Sequence, residues 1–92
     1  MFVAIARHYP HPDHVETFAD HMKRVVEVTK QADGLVDFDC YRDEETGALL
    51  GVSRWTSRDA FEAALPLIGS CADRRQDEWT VEEDELTLLT EI

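Results

Sequence analysis

The chain has 92 residues and a formal charge of −11, from 9 Lys and Arg against 20 Asp and Glu. This length predicts a single domain spanning residues 1–92, with a thin core. We expect neither nucleic acid nor an anionic membrane surface as a partner, because both require a basic protein surface. No segment approaches the roughly 20 apolar residues of a membrane-spanning helix. The chain shows no secretory signal and no CxxC pair, which predicts a cytoplasmic, reducing location.

The first third of the chain predicts a strand followed by a long helix. Residues 2–9 are apolar on both alternating faces, and Pro10 ends this predicted strand. Apolar residues then recur at three- and four-residue steps from Asp13 to about Ala32, which predicts an amphipathic helix. Gly34 is the expected C-cap of that helix.

A hairpin is predicted next. Residues 35–42 and 48–55 alternate in polarity on either side of the loop 43–47, which ends in Gly. If Arg42 lies opposite Ala48, the odd-numbered residues of both strands share one face. That face would carry Leu35, Asp37, Asp39, Tyr41, Leu49, Gly51, Ser53 and Trp55. A slip of one residue would change this composition, because neighbouring side chains point to opposite faces.

The last third predicts one more helix and one more strand. Ser57 is the expected N-cap of a helix that Pro66 ends or kinks. Residues 69–79 fit a short helix or an irregular segment, whereas the alternation in 85–92 predicts a strand. The resulting order is βαββαβ, that of an α+β ferredoxin-like sandwich with both helices on one face of an antiparallel sheet. Apolar residues on the other face predict a homodimer in which two sheets face each other.

Two sequence blocks carry a family resemblance. The blocks are GLVDFDCYR, residues 34–42, and RWTSRDAFEAAL, residues 54–65. Their order and spacing resemble those of the antibiotic biosynthesis monooxygenase-type (ABM) proteins, which are dimeric α/β barrels. The resemblance spans nearly the whole chain. It implies a pocket between sheet and helices, where some relatives oxidise aromatic polyketides or quinols without flavin, haem or metal. No cofactor and no metal are therefore expected.

The resemblance is incomplete at the pocket. Trp55 matches a Trp that family pockets commonly contain, but many members have a His near Ala64 and certain monooxygenases have an Asn at Gly51. Haem-degrading relatives use an Asn on the first strand and a late His. Here the chain has no Asn, and its last His is His21, so haem degradation is not expected. The resemblance implies a monooxygenase-like protein for an aromatic or quinol-type molecule; the alternative is a non-catalytic ligand-binding or interaction module.

Polar residues on the predicted face of Trp55 are the catalytic candidates. Asp37 or Asp39 could orient or deprotonate a phenolic substrate, and Tyr41 could hydrogen-bond to it. Alternating acids on a strand are, however, more often a solvated face. The candidate substrate-binding residues are Trp55, Ser53, Phe61, Phe18 and Met22. Trp55 also fits a core position, because aromatic rings serve both purposes.

The histidines are candidate metal ligands. His8, His11 and His14 form an H-x2-H-x2-H pattern, and imidazoles bind zinc and nickel. Two prolines interrupt the run, and its first and last members belong to different predicted elements. We therefore expect a surface turn here and no designed metal site. His21 could reach the mouth of a pocket, but a solvated edge of the long helix is the expected position.

Overall fold

A computed structural model describes residues 1–71 and 77–92 of the chain. Its elements in chain order are β1 (Phe2–His8), a 3₁₀ turn (Pro12–His14), α1 (Val15–Thr29), β2 (Leu35–Arg42), β3 (Leu49–Trp55), α2 (Arg58–Gly69), a second 3₁₀ turn (Asp77–Trp79) and β4 (Glu85–Thr90). This order confirms the predicted βαββαβ arrangement. Part of the ambiguous range 69–79, residues 72–76, lies outside the described residues.

The four strands form one antiparallel sheet in the order β2-β3-β1-β4. Phe2 and Ala4 of β1 are buried in the core. Because side chains alternate along a strand, Val3 and Ile5 point the other way. We call the side covered by α1 and α2 the helix face and the opposite side the outer face. The predicted antiparallel sheet with helices on one face is confirmed.

β2 and β3 pair one residue away from the predicted register. Arg42 lies opposite Leu49 rather than Ala48, and the ladder continues in this register to Asp37 opposite Arg54. A bulge then separates Asp37 from the pair formed by Leu35 and Trp55. The predicted register was wrong, and so was the composition of the two faces that followed from it.

The side chain of Asp43 explains this register. Its Oδ1 accepts hydrogen bonds from the backbone N–H groups of Glu45 at 3.0 Å and Thr46 at 3.3 Å. The backbone N–H of Asp43 donates to the Ala48 carbonyl at 2.8 Å, so these two residues close the turn. The hydrogen bond from Glu45 is the largest cause of a lowered Asp43 pKa. This group therefore stabilises the fold when ionised and loses that contribution as the pH falls.

α1 ends earlier than its sequence pattern suggests. Its last residue is Thr29, and Lys30 is the C-cap, so the prediction that Gly34 caps the helix was wrong. Gly34 instead makes the turn into β2 with φ +84°. A Cβ added there would lie 2.6 Å from the Cβ of Ala60. A glycine is required here because it both adopts this backbone conformation and lets the chain approach α2.

α2 begins as predicted. The Ser57 hydroxyl accepts a hydrogen bond from the Ala60 N–H at 3.1 Å, which confirms Ser57 as the N-cap. Pro66 does not end the helix but lies inside it, and the helix continues to Gly69. Pro66 is exposed, as is Glu62 one turn earlier. The Glu62 carbonyl that loses its helical partner can therefore bond to water.

Buried side chains form two clusters on the helix face. One contains Phe2, Ala4, Trp55, Phe61 and Ala64, and the other contains Phe18, Met22, Leu49 and Trp79. No helix within residues 1–71 and 77–92 has the length and apolarity that a membrane span requires.

Candidate functional site

A cavity of about 260 Å³ lies between the helix face and the two helices. Small residues of three strands form one row of its wall, since Gly51 pairs with Ala6 on one side and with Cys40 on the other. A Cβ added to Gly51 would lie 3.2 Å from the Phe38 ring and 3.8 Å from the Met22 methyl carbon. The missing side chain therefore lets the Phe38 ring lie close to the sheet at this point of the cavity wall. The volume is close to the lower end of ligand pockets, which hold roughly 300–1,000 Å³.

An imidazole and a carboxylate meet at this cavity. His8 Nδ1 lies 2.9 Å from Asp84 Oδ1, and the side chains are 16% and 32% exposed. Both residues line the cavity, and the His8 ring lies 4.9 Å from the ring of Phe18, another lining residue. Nδ1 is buried without an aligned hydrogen bond to any described residue, so the carboxylate acts on the imidazole through its charge. A carboxylate beside one ring nitrogen favours the tautomer with the proton there and leaves the other nitrogen as a base. The cavity thus contains a general-base candidate.

His21 also lines the cavity. It is only 5% exposed, and its ring lies 5.9 Å from Phe18 and 5.6 Å from Trp79. The prediction of a solvated position was wrong. Trp79 covers this part of α1 from a segment 58 residues further along the chain, and no local pattern around His21 indicates that contact.

The three histidines of the H-x2-H-x2-H pattern separate in the structure. His8 belongs to the cavity, whereas the rings of His11 and His14 lie 5.7 Å apart in the 3₁₀ turn. His11 Nδ1 accepts a hydrogen bond from the Asp13 N–H at 3.1 Å, so it caps that turn. Among the described residues, no group of three or more His, Cys, Asp or Glu could hold a metal ion.

The predicted substrate-binding residues divide between cavity and core. Phe18 and Met22 line the cavity. Trp55 is 0% exposed and packs edge-on against Phe61 with ring centroids 5.7 Å apart. Its indole N–H donates to the Ser53 hydroxyl at 2.9 Å. Trp55, Ser53 and Phe61 are therefore buried beside the cavity rather than in its wall.

The predicted catalytic residues lie on the outer face. Asp37 Oδ1 is 3.8 Å from Arg54 Nε, and both Asp39 and Tyr41 are exposed. Their expected position on the face of Trp55 was wrong, because the turn at Asp43 shifts the register by one residue and so moves them to the opposite side. The placement does not support the catalytic role, which stays a prediction.

The polar cavity residues were missed because their signals are weak. His8 continues the even-numbered residues of β1, so its face follows from alternation once Phe2 is known to be buried. Asp84 belongs to an acidic run that is typical of a solvated segment. Cys40 and Cys71 also line the cavity, and two cysteines this far apart in the sequence give no local signal of a shared site.

Comparison with known proteins places this geometry in context. Residues 1–65 match the antibiotic biosynthesis monooxygenase family, and a comparison with curated protein sequences found no match. Rv0793 from Mycobacterium tuberculosis has a TM-score of 0.84 at 22% identity, over 99% of this chain and 94% of that chain. A conserved protein from Methanosarcina mazei Go1 has a TM-score of 0.84 at 18% identity, with 96% and 89% covered.

A third structure carries a functional description. SnoaB from Streptomyces nogalater, a cofactor-independent oxygenase crystallised as a mutant, has a TM-score of 0.74 at 18% identity, over 98% of this chain and 91% of that chain. At such identities these structures show a shared fold only. The family match, by contrast, extends from β1 into α2 and includes 65 of the 92 residues. The chain therefore belongs to the antibiotic biosynthesis monooxygenase family.

Proposed function

We propose that the cavity binds a small neutral phenol or quinol, which the protein oxidises with O₂ using His8 as the general base. One observation carries this proposal: the His8–Asp84 pair lies in the wall of a cavity whose other walls are mainly apolar. Family membership supports the reaction class. The description of SnoaB as a cofactor-independent oxygenase points in the same direction.

The proposed reaction starts with a proton transfer. Asp84 favours the His8 tautomer that keeps its proton on Nδ1, so that Nε2 removes a proton from the substrate. The resulting anion is electron-rich and reduces O₂. For an anthrone-type substrate the balance is R₂CH₂ + O₂ → R₂C=O + H₂O. The substrate supplies all four electrons, one oxygen atom enters the product, and the other leaves as water that takes up the proton held by His8.

The cavity walls indicate the substrate class. The rings of Phe18 and Phe38 and the thioether of Met22 border the space, and such side chains bind planar aromatic molecules. The described lining contains the acid Asp84 but no Lys or Arg. A carboxylate or phosphate on the substrate would therefore be desolvated without a partner.

The test is oxygen consumption with a panel of neutral and carboxylated phenols, hydroquinones and anthrones. We expect the purified protein to accelerate O₂ uptake with neutral members, and ¹⁸O₂ to label the ketone product of the anthrone. Heat-denatured protein corrects for autoxidation. Uptake no faster than that control across the panel would contradict the oxidation.

Binding without turnover is the second candidate, because Ala64 leaves only a methyl group in the core where many relatives have an imidazole. Trp79 packs against Phe18 and His21 of the cavity wall, so ligand binding should change its fluorescence. A ligand that changes this fluorescence without O₂ uptake would establish the binding function.

We further propose that two copies associate through their outer faces. Val3, Ile5, Leu50 and Val52 form an apolar patch there, in the centre of a sheet whose helices lie on the other side. We expect sedimentation velocity at micromolar concentration to show a dimer, and Val52→Asp to shift it toward monomer, since a carboxylate buried between two sheets lacks a partner. A wild-type protein that sediments as a stable monomer would contradict this association.

A further inference from the structure

Both cysteines of the chain border the same cavity, although they are 31 positions apart. Cys40 lies on β2 beside Gly51, and Cys71 follows the end of α2. Both are free thiols. The cavity therefore has two sulfur nucleophiles in its wall that the proposed oxidation does not use.

Cys40 is well placed for a planar ligand. It forms a row with Gly51 and Ala6 in the cavity wall, and the Phe38 ring lies close to Gly51 of that row. Phe38 lies two residues earlier on the same strand, on the same face, and also lines the cavity. A ring bound over this row would contact the Phe38 ring on one side and lie beside the Cys40 sulfur.

The Cys40 thiol is not activated by its surroundings. Cys40 is exposed, yet partial desolvation and, secondarily, the Asp39 carboxylate raise the pKa of its thiol above the ordinary value. At neutral pH the thiol is therefore protonated, and reagents that meet it by random collision should react slowly. Fast reaction requires that the electrophile is first held in the cavity, where proximity replaces collision.

We propose that Cys40 and Cys71 make this cavity a covalent capture site for quinones, with Cys40 the faster nucleophile. The sulfur bonds to the ring carbon β to a quinone carbonyl. The π electron pair of that C=C bond shifts to the bond between the α carbon and the carbonyl carbon, and the carbonyl π pair moves onto the oxygen. The thiol proton goes to that oxygen, and the hydrogen on the attacked carbon moves to the other oxygen. The product is a hydroquinone thioether whose mass equals that of protein plus quinone, so no further oxidant or reductant is needed.

Covalent capture extends the proposed function from the substrate to its oxidation product. It rests on the proposed function for the shape of the ligand. A quinone is the oxidation product of a hydroquinone, so retention by Cys40 would make the protein sensitive to its own product. The capture test uses preformed quinone without O₂, which separates it from the oxidation. Oxygen uptake without capture would overturn only the present proposal, and capture without oxygen uptake would support it while the oxidation fails.

The experiment compares two reagents on the folded protein under nitrogen. 1,4-Naphthoquinone and iodoacetamide are added separately, and adducts are timed by intact-protein mass spectrometry and located by peptide mapping. We expect the quinone-to-iodoacetamide rate ratio at Cys40 to exceed that of N-acetylcysteine by at least about tenfold. Excess 2-naphthol, which has a similar shape but is not an electrophile, should slow the quinone reaction and leave iodoacetamide labelling unchanged.

Two conservative variants locate the nucleophile. Cys40→Ser should remove the faster quinone adduct, whereas Cys71→Ser should retain it. A rate ratio equal to that of N-acetylcysteine would overturn the proposal, as would a quinone rate insensitive to 2-naphthol. Because the 2-naphthol comparison uses the wild-type protein, it remains decisive if a variant folds poorly.

Discussion

Replacing His8 by Gln is expected to slow oxygen-dependent turnover of a phenolic substrate by about 10²–10⁴-fold, the usual contribution of a positioned general base. The amide fills much the same space as the imidazole but cannot accept the substrate proton. Because only the base is lost, the urea midpoint of unfolding should change little. Turnover is measured as O₂ uptake, corrected for autoxidation of the same substrate.

The partner carboxylate should act through His8 and not independently. Asp84→Asn removes the charge 2.9 Å from Nδ1, so we expect a smaller loss of kcat than for His8→Gln. The double variant should be no slower than His8→Gln alone, because residues that act as a unit are not additive. Multiplied losses in the double variant would show that Asp84 acts on its own.

One readout separates a base from a merely structural residue. A nitro-substituted phenol ionises without help, so the loss caused by His8→Gln should shrink with that substrate. His14→Gln is the matched control, because it makes the same change in the neighbouring turn, away from the cavity lining. If Asp39→Asn abolishes turnover and His8→Gln does not, the base lies on the outer face.

Local periodicity was sufficient for the elements of this fold but not for their register. The alternation in β2 predicts its bounds, residues 35–42, as observed. The face that each residue occupies depends on the Asp43 side chain, which holds the turn. Because of it, Asp43 and not Arg42 lies opposite Ala48, so the turn begins one residue later than the Gly-ended loop suggests. That one-residue difference moved Asp39 and Tyr41 away from the site and brought Cys40 to it.

The predictable part of the site is the part carried by α1. Phe18 and Met22 belong to the helical apolar stripe, and a stripe that packs on the sheet also borders any cavity there. The His8–Asp84 pair depends instead on β1 and β4, whose ladder ends with Arg7 opposite Glu85. The next positions of that ladder bring His8 and Asp84 together, and neither strand alone indicates this register.

Trp55→Ala is expected to lower the free energy of unfolding by about 3–5 kcal/mol, the usual cost of truncating a buried aromatic side chain. Domains of this size are stable by roughly 5–15 kcal/mol, so the variant should be marginal in urea titrations. The reason is its position: Trp55 is fully buried and packs on Phe61 in the cluster that joins β1, β3 and α2. A small loss would mean that the ring can leave the core, as a pocket residue could.

The hydrogen bond to Ser53 allows a sharper test with milder variants. Ser53→Ala leaves the buried indole N–H without its acceptor, which costs about 1–3 kcal/mol. In a Trp55→Phe background no N–H remains, so Ser53→Ala should cost less, with a coupling of about 0.5–3 kcal/mol between the two sites. Trp79 remains as the fluorescence probe of unfolding in that background. Additive losses would show that the indole N–H finds another acceptor. A smaller cost of Ser53→Ala in the Trp55→Phe background would show that the Ser53 hydroxyl serves as the acceptor of the Trp55 indole N–H. Both residues then belong to the core that supports the cavity wall.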